Sequence, residues 1–291
     1  MTRKILTSIA VIAIVAGVVL IVAAWGLGAE GVVSFGLSGL RVTRHGEAAT
    51  LSQRGIEGVT SLTVDAIDAD VEFIPADDFG FDIRTFYGEP DWSLDGGKLV
   101  IDEARIGGMF RVEFPLLPPL TADGKISYIK IYYPRDSELN NLTVSTVSGN
   151  IEFPGLDKRV RESSLSTVSG NISAASLETD TLGIHTVSGN IETRDVASPR
   201  ARLDTTSGDA SLTAFLGKLE ADTVSGNIEI LTDTDEDKLE YKIETISGDI
   251  KVGGLRLGGP VRSSPPNADT SLDIETVSGD VTINNFNGGV G

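Results

Sequence analysis

The chain contains no cysteine. Disulfides, thiolate metal sites and cysteine nucleophiles are therefore excluded. Histidine is nearly as scarce, with only His45 and His185 in 291 residues, so no Ser-His-Asp catalytic set is plausible. Basic residues are also few. There are 24 Lys and Arg against 42 Asp and Glu, a formal net charge of −18. A nucleic-acid interface needs a basic footprint, so nucleic acid is excluded as a partner. The acidic excess suits a soluble, self-repelling surface and cationic partners. No phosphate-binding loop or dinucleotide fingerprint occurs. With neither feature, no cofactor is expected.

One long hydrophobic run is present. Ile5 to Trp25 is apolar and uncharged, and Arg3 and Lys4 precede it. A helix of that length spans roughly 30 Å, the thickness of a bilayer core. The positive residues stay cytoplasmic, which places the rest of the chain outside. The rival is a cleaved signal peptide, whose apolar region is usually ~7–15 residues long. Here the run is longer, and Gly26-Leu27-Gly28 is a weak cleavage site. Residues 1–27 are therefore read as a transmembrane anchor of a single-pass cell-membrane protein. Residues 28–58, Gly-rich and without clear period, read as a linker.

From Val59 the pattern alternates. Phe81-Asp82-Ile83-Arg84-Thr85-Phe86-Tyr87 and Lys125-Ile126-Ser127-Tyr128-Ile129-Lys130-Ile131-Tyr132 are strand signals. Pro75-Ala76-Asp77-Asp78, Asp95-Gly96-Gly97 and Pro118-Pro119 are turn signals between such runs. No stretch after the anchor reads as a helix of convincing length. Residues 59–141 are expected to form a β-rich beginning, or cap, of a repeat region covering 142–291.

That region holds seven copies of Thr-x-Ser-Gly-Asn/Asp, starting at Thr146, Thr167, Thr186, Thr205, Thr223, Thr245 and Thr276. Their Ser-Gly-Asn/Asp corners are Ser148-Gly149-Asn150, Ser169-Gly170-Asn171, Ser188-Gly189-Asn190, Ser207-Gly208-Asp209, Ser225-Gly226-Asn227, Ser247-Gly248-Asp249 and Ser278-Gly279-Asp280. Apolar residues stand two before each Thr, and an apolar residue follows each Asn or Asp. The two apolar sets differ in parity, so a straight strand would send them to opposite faces. A bulge or corner at the motif supplies the missing slip of register. Glycine suits it through its tolerance of positive φ and the room it leaves, and Asn or Asp through its tolerance of left-handed backbone. Ala66-Ile67-Asp68-Ala69-Asp70-Val71-Glu72-Phe73 overlays the motif as a worn first copy. A unit of this size cannot bury its apolar ends alone, so stacking is required. The expected fold is all-β, a parallel β-helix or β-solenoid of about seven or eight rungs. Residues 253–270, rich in Gly and Pro, read as a loop inserted into one coil, in a place where solenoid insertions often form a binding face.

Candidate chemistry is sparse. Seven corner serines without seven bases read as structure. His185 falls at a position that is polar in every copy, a solvated strand face. Glu152, Glu192 and Glu229 after the corner, and Asp204, Asp222, Glu244 and Glu275 before it, form acidic stripes. Stacked carboxylates are the arrangement a glycan-cleaving enzyme would use, yet each lies where a soluble strand needs polarity. Asp233-Thr234-Asp235-Glu236-Asp237, with Glu244 at the twelfth position, opens like a calcium loop. Lys238 replaces the sixth-position glycine, and the segment reads better as a charged turn. No catalytic or metal residue is assigned.

The repeated units, together with Ile129-Lys130-Ile131-Tyr132-Tyr133-Pro134, resemble a family of bacterial and archaeal envelope proteins. The family is a domain of unknown function with β-strand repeats, also labelled putative adhesin. The resemblance covers roughly residues 60–291. It implies a β-helix-like fold outside the membrane and a non-enzymatic role, and it transfers no catalytic residues. The chain departs from the pattern at Ala210, in place of Ile, and in the long last insertion. Three readings follow: an adhesin-like surface or scaffold module contacting envelope glycans or surface proteins, a carbohydrate-active β-helix enzyme, and an envelope-stress sensor subunit.

Overall fold

The computed structural model describes residues 32–36, 39–43, 48–86, 88–103, 114–115, 126–232 and 234–285. The apolar run Ile5 to Trp25 lies outside them. Among the described residues no helix is long and apolar enough to cross a membrane, and the one helical element is the 3-10 turn Glu236–Lys238. Val32–Gly36, Gly39–Thr43 and Phe114–Pro115 form a small sheet of their own. All other strands join one 21-stranded sheet wound as a stack of coils.

The third coil shows how sequence sets the winding. Between Ile172 and Ser188 the buried residues are Ile172, Ala174, Leu177, Thr179, Leu182, Ile184 and Thr186. Strict alternation breaks twice, at Ala175-Ser176 and at Asp180-Thr181, where two successive side chains face out. A third break follows at Val187-Ser188. Each break turns the chain, so every coil presents three inward runs. Ser176 adopts φ 47°, and its equivalents Asp195 and Ala214 adopt 54°, the left-handed backbone that makes the first of these turns. Each fully buried Ile, Leu or Val contributes about 1.5–3 kcal/mol to the stack.

Coils pair in parallel, residue above equivalent residue: Ile151 on Ile172, Ile172 on Ile191, Ile191 on Ala210 and Ala210 on Ile228. Ala210 and Phe215 on the same coil are both fully buried. The worn copy takes its place below the first full one. Val64 pairs with Val144 and Val71 with Ile151, so Ala69 lies at the glycine position. Phe73, Tyr133 and Phe153 fill this wider end, with ring centroids 5.1–6.0 Å apart. The Tyr133 hydroxyl donates to the Gly155 carbonyl at 2.6 Å. Burial pushes its pKa up to about 12.

The stacking order is not the chain order at the far end. Thr270–Ser278 pairs with Leu216–Ser225 on one side and with Leu239–Thr245 on the other. Val281–Asn285 likewise lies between Ile228–Thr232 and Ile250–Val252. The last coil is thus interleaved beneath the one that precedes it in sequence. The insertion at 253–270 is not a plain loop but holds two short strands. Leu255–Leu257 pairs antiparallel with Ile250–Val252, and Val261–Ser263 pairs antiparallel with Leu239–Thr245. These two short strands cover the open edges of the terminal coil, and Leu257 and Val261 pack against its core. The extra length therefore serves to cap the end and return the chain one level down.

Candidate functional site

The corner motif makes three ladders along the column. The seven repeat glycines do not occupy the left-handed region; their expected φ role is replaced by a packing role. A Cβ on Gly189 would lie 1.9 Å from the Gly170 carbonyl oxygen, and one on Gly170 would lie 2.0 Å from that of Gly149. The same approach recurs from Gly149 on Ala69 through Gly208, Gly226, Gly279 and Gly248. Backbone touches backbone at this edge, which only glycine permits. The worn first copy carries Ala69, fully buried, at the same position.

Asn and Asp form the second ladder. Their Oδ1 atoms accept the N–H of the equivalent residue on the next coil. The contacts run from Asp70 to Asn150 at 2.8 Å, Asn150 to Asn171 at 2.9 Å, Asn171 to Asn190 at 2.8 Å, Asn190 to Asp209 at 3.0 Å and Asp209 to Asn227 at 2.8 Å. They continue through Asp280 at 3.0 Å to Asp249 at 2.8 Å. None of these residues has positive φ, so the side-chain acceptor, not backbone tolerance, selects Asn or Asp. Inward-facing Thr makes the third, which is incomplete: the Thr205, Thr223 and Thr276 hydroxyls are buried without a hydrogen-bond partner. Thr167 Oγ1 donates to the Gly149 carbonyl at 3.1 Å and Thr186 Oγ1 to that of Gly170 at 3.3 Å. Ser148, Ser169, Ser188, Ser207, Ser225, Ser278 and Ser247 stand between the Thr and Gly positions. Ser188, Ser207, Ser225 and Ser278 pair in register.

The face leading into the corner carries the charge. In stacking order, the outward position before Thr holds Asp65, Ser145, Ser166, His185, Asp204, Asp222, Glu275 and Glu244. Three of the sequence-identified carboxylates, Asp204, Asp222 and Glu275, are thereby stacked on successive coils, and Glu244 completes the series. The acids after the corner do not meet. Ser173 separates Glu152 from Glu192, and Ser211 separates Glu192 from Glu229.

Two cations that the motif alignment passed over organise the stacked acids. Arg202 donates to Asp204 through Nε at 2.9 Å and Nη2 at 2.7 Å, and to Asp222 through Nη2 at 2.6 Å. His185 Nδ1 lies 2.8 Å from Asp204 on the other side. Lys242 Nζ lies 3.1 Å from Glu244 and 3.2 Å from both Asp273 and Glu275. Arg202 and Lys242 occupy the outward position two residues earlier, where Gly183, Glu220 and Asp273 stand in neighbouring coils. Reading that column of the repeat would have found them.

This geometry splits the carboxylates. Burial alone would raise Asp204, but hydrogen bonds from His185 and Arg202 hold it below the usual carboxylate range. Burial, with Asp204 and Glu275 nearby, raises Asp222 despite Arg202. Lys242 is held above the usual lysine value, because its carboxylate partners outweigh the effect of burial. An acid and a base side by side invite a hydrolytic reading. One guanidinium nitrogen bridges both carboxylates.

The calcium-like segment is described only in part. Asp233 lies outside the described residues, and Thr234 is buried against Thr270, hydroxyl to hydroxyl at 3.0 Å. Glu244 belongs to the Lys242 cluster. Among the described residues no group of His, Asp and Glu could hold a metal ion.

At the foot of the column sits Glu103, a fully buried carboxylate without a sequence signal. Its Oε2 accepts the N–H groups of Ile67, Asp68 and Ala69 at 2.5, 2.9 and 3.2 Å, and its Oε1 accepts the Thr85 hydroxyl at 2.7 Å. It satisfies three donors of the first corner, at the end of the strand Lys98–Asp102 that runs in parallel beside Ser61–Asp65.

The sequence pattern of the Toastrack DUF4097 family matches residues 59–289. No match is found among curated proteins. Among solved structures the chain is similar to a putative adhesin from Bacteroides fragilis, at 13% identity and a TM-score of 0.45, over 81% of this chain and 97% of that one. It is also similar to a putative lipid binding protein from Parabacteroides distasonis, at 17% identity and a TM-score of 0.41, over 80% and 96%. A putative cell adhesion protein from Clostridium sporogenes shares 10% identity at a TM-score of 0.33, over 82% and 100%. The match over the whole column, from the worn first corner to the interleaved last coil, makes this chain a member of the Toastrack DUF4097 family.

Proposed function

We propose that this chain is a non-enzymatic module of the cell envelope, an adhesin-like surface or scaffold column. Ile5 to Trp25 tether it to the membrane, and the coils stand on the outer side as a parallel β-solenoid. Its charged face, from His185 to Lys242, meets envelope glycans or surface proteins. One observation carries this reading: the stacked carboxylates are already clamped by Arg202 and Lys242. A face arranged this way is stiff and polar, suited to contact and not to proton transfer.

The test uses the full-length chain in detergent, immobilised and exposed to isolated envelope glycans and envelope proteins. A companion chain carries Glu220→Lys and Asp273→Lys, which reverse charge on the same face. The wild-type chain should retain a partner that the variant loses. Equal retention by both, or by neither, removes the face from the proposal. Protease protection of residues 59–291 in intact cells, lost only on lysis, would overturn the outward orientation.

A further inference from the structure

The interleaved coil points to an interaction site that the corner motif does not itself announce. Thr270–Ser278 and Val281–Asn285 fill a slot whose walls are Leu216–Thr232 on one side and Leu239–Val252 on the other. Both walls bond it. The Ile228 N–H donates to the Asp280 carbonyl and the Val281 N–H to the Asp249 carbonyl, each at 2.9 Å. Residues 264–269 join the coil to the preceding strand Val261–Ser263. That connection is Ser-Pro-Pro-Asn-Ala-Asp, and it is exposed except at the half-buried Pro265. It is pinned by the Asp269 N–H on the Lys238 carbonyl at 2.9 Å and by Ser264 on Glu240 at 2.8 Å.

We propose that the slot is a strand acceptor and the C-terminal coil its donor, and that a second copy of this chain can supply the donor. Swapped and unswapped forms contain the same ladders, so only hinge strain and concentration separate them. A proline-stiffened hinge disfavours the tight return needed to fill the slot from the same chain. Synthesis order adds to this. The capped unit 239–263 is complete before the donor coil emerges, and its corner repeats the register of Leu216–Ser225. It can therefore sit on that coil directly until a donor arrives. Confinement of many copies to one surface would favour exchange, though the proposal does not depend on the function argued above.

The absence of cysteine allows a clean test. Glu229 and Thr282 are register partners on the wall and the donor, both facing outward. Full-length chains carrying Glu229→Cys or Thr282→Cys alone, with different tags, are mixed in detergent, concentrated and then oxidised. Exchange predicts a disulfide between the two variants in excess of either homodisulfide, rising with protein concentration and falling when Pro265 and Pro266 are replaced by Gly. A mixed disulfide no more abundant than the homodisulfides at every concentration overturns the proposal. A single chain carrying both cysteines should close an intrachain disulfide in dilute solution. Failure there would mean that the slot is not filled as described, and the proposal would fall with it.

Discussion

At a single corner, backbone proximity decides which residues are allowed. Gly189 lies against the Gly170 carbonyl, where a methyl group would be 1.9 Å from oxygen. Gly189→Ala must therefore push two coils apart, at a cost of about 3 kcal/mol or more. Gly258, in the cap with nothing within 4 Å of its missing Cβ, is the control. Its alanine variant should change stability by less than about 0.5 kcal/mol. Urea midpoints of the two variants that match each other would remove the close approach as the reason for glycine. The neighbouring ladder makes a finer prediction. Asn171→Asp keeps the acceptor for the Asn190 N–H and should be nearly neutral, while Asn171→Ala should lose about 1 kcal/mol. If the two variants lose equally, the ladder contributes nothing through its acceptor. The sequence made the corner legible through period and parity. It did not reveal why glycine or Asn is needed, because the distance between coils is a property of the stack and of no single coil.

At the scale of one strand face, charge is balanced between coils. Asp204 and Asp222 are neighbours with opposite displacements, one lowered and one raised. Asp204 therefore contributes stability above the ordinary carboxylate value that is lost as pH falls through its lowered value. Asp222 behaves in reverse: its charged form is disfavoured in the fold, so stability is gained as it takes up a proton. Asp204→Asn should accordingly destabilise the chain at about pH 7 and converge on wild type as pH falls below the ordinary carboxylate value and through the lowered one. Asp222→Asn should be as stable as wild type, or more so, at about pH 7. Urea midpoints across that range check both signs, and parallel curves for the two variants would refute the split. The acidic stripe before the corner was visible in the sequence. The clamp lay in the column two residues earlier, where Arg202 and Lys242 share a position with Gly183, Glu220 and Asp273, outside the motif itself.

Over the whole molecule, a stack of like coils has two ends that must be closed. The upper end is closed by Leu255–Leu257 and Val261–Ser263, both three residues long and therefore poor templates for further pairing. The order of the last two coils was illegible because every coil shares one motif and register, so local sequence cannot rank one stacking order over another. The first corner is held by a different device. Lys98–Asp102 runs in parallel beside Ser61–Asp65, and Tyr128–Tyr133 beside Asp70–Pro75. Between these two pairings the Ile67, Asp68 and Ala69 N–H groups all donate to Glu103. Such donors cost about 1–3 kcal/mol each when orphaned, less in sum because the corner can relax. Glu103→Ala should therefore destabilise the chain by about 3 kcal/mol. Glu103→Gln, which keeps an acceptor oxygen, should lose less than half as much. Hydrogen exchange distinguishes this local effect from general loss of stability. The amides of residues 67–69 should exchange faster in Glu103→Ala under conditions where those of residues 188–191 remain protected. If both sets accelerate together, Glu103 supports the column as a whole and not the first corner alone.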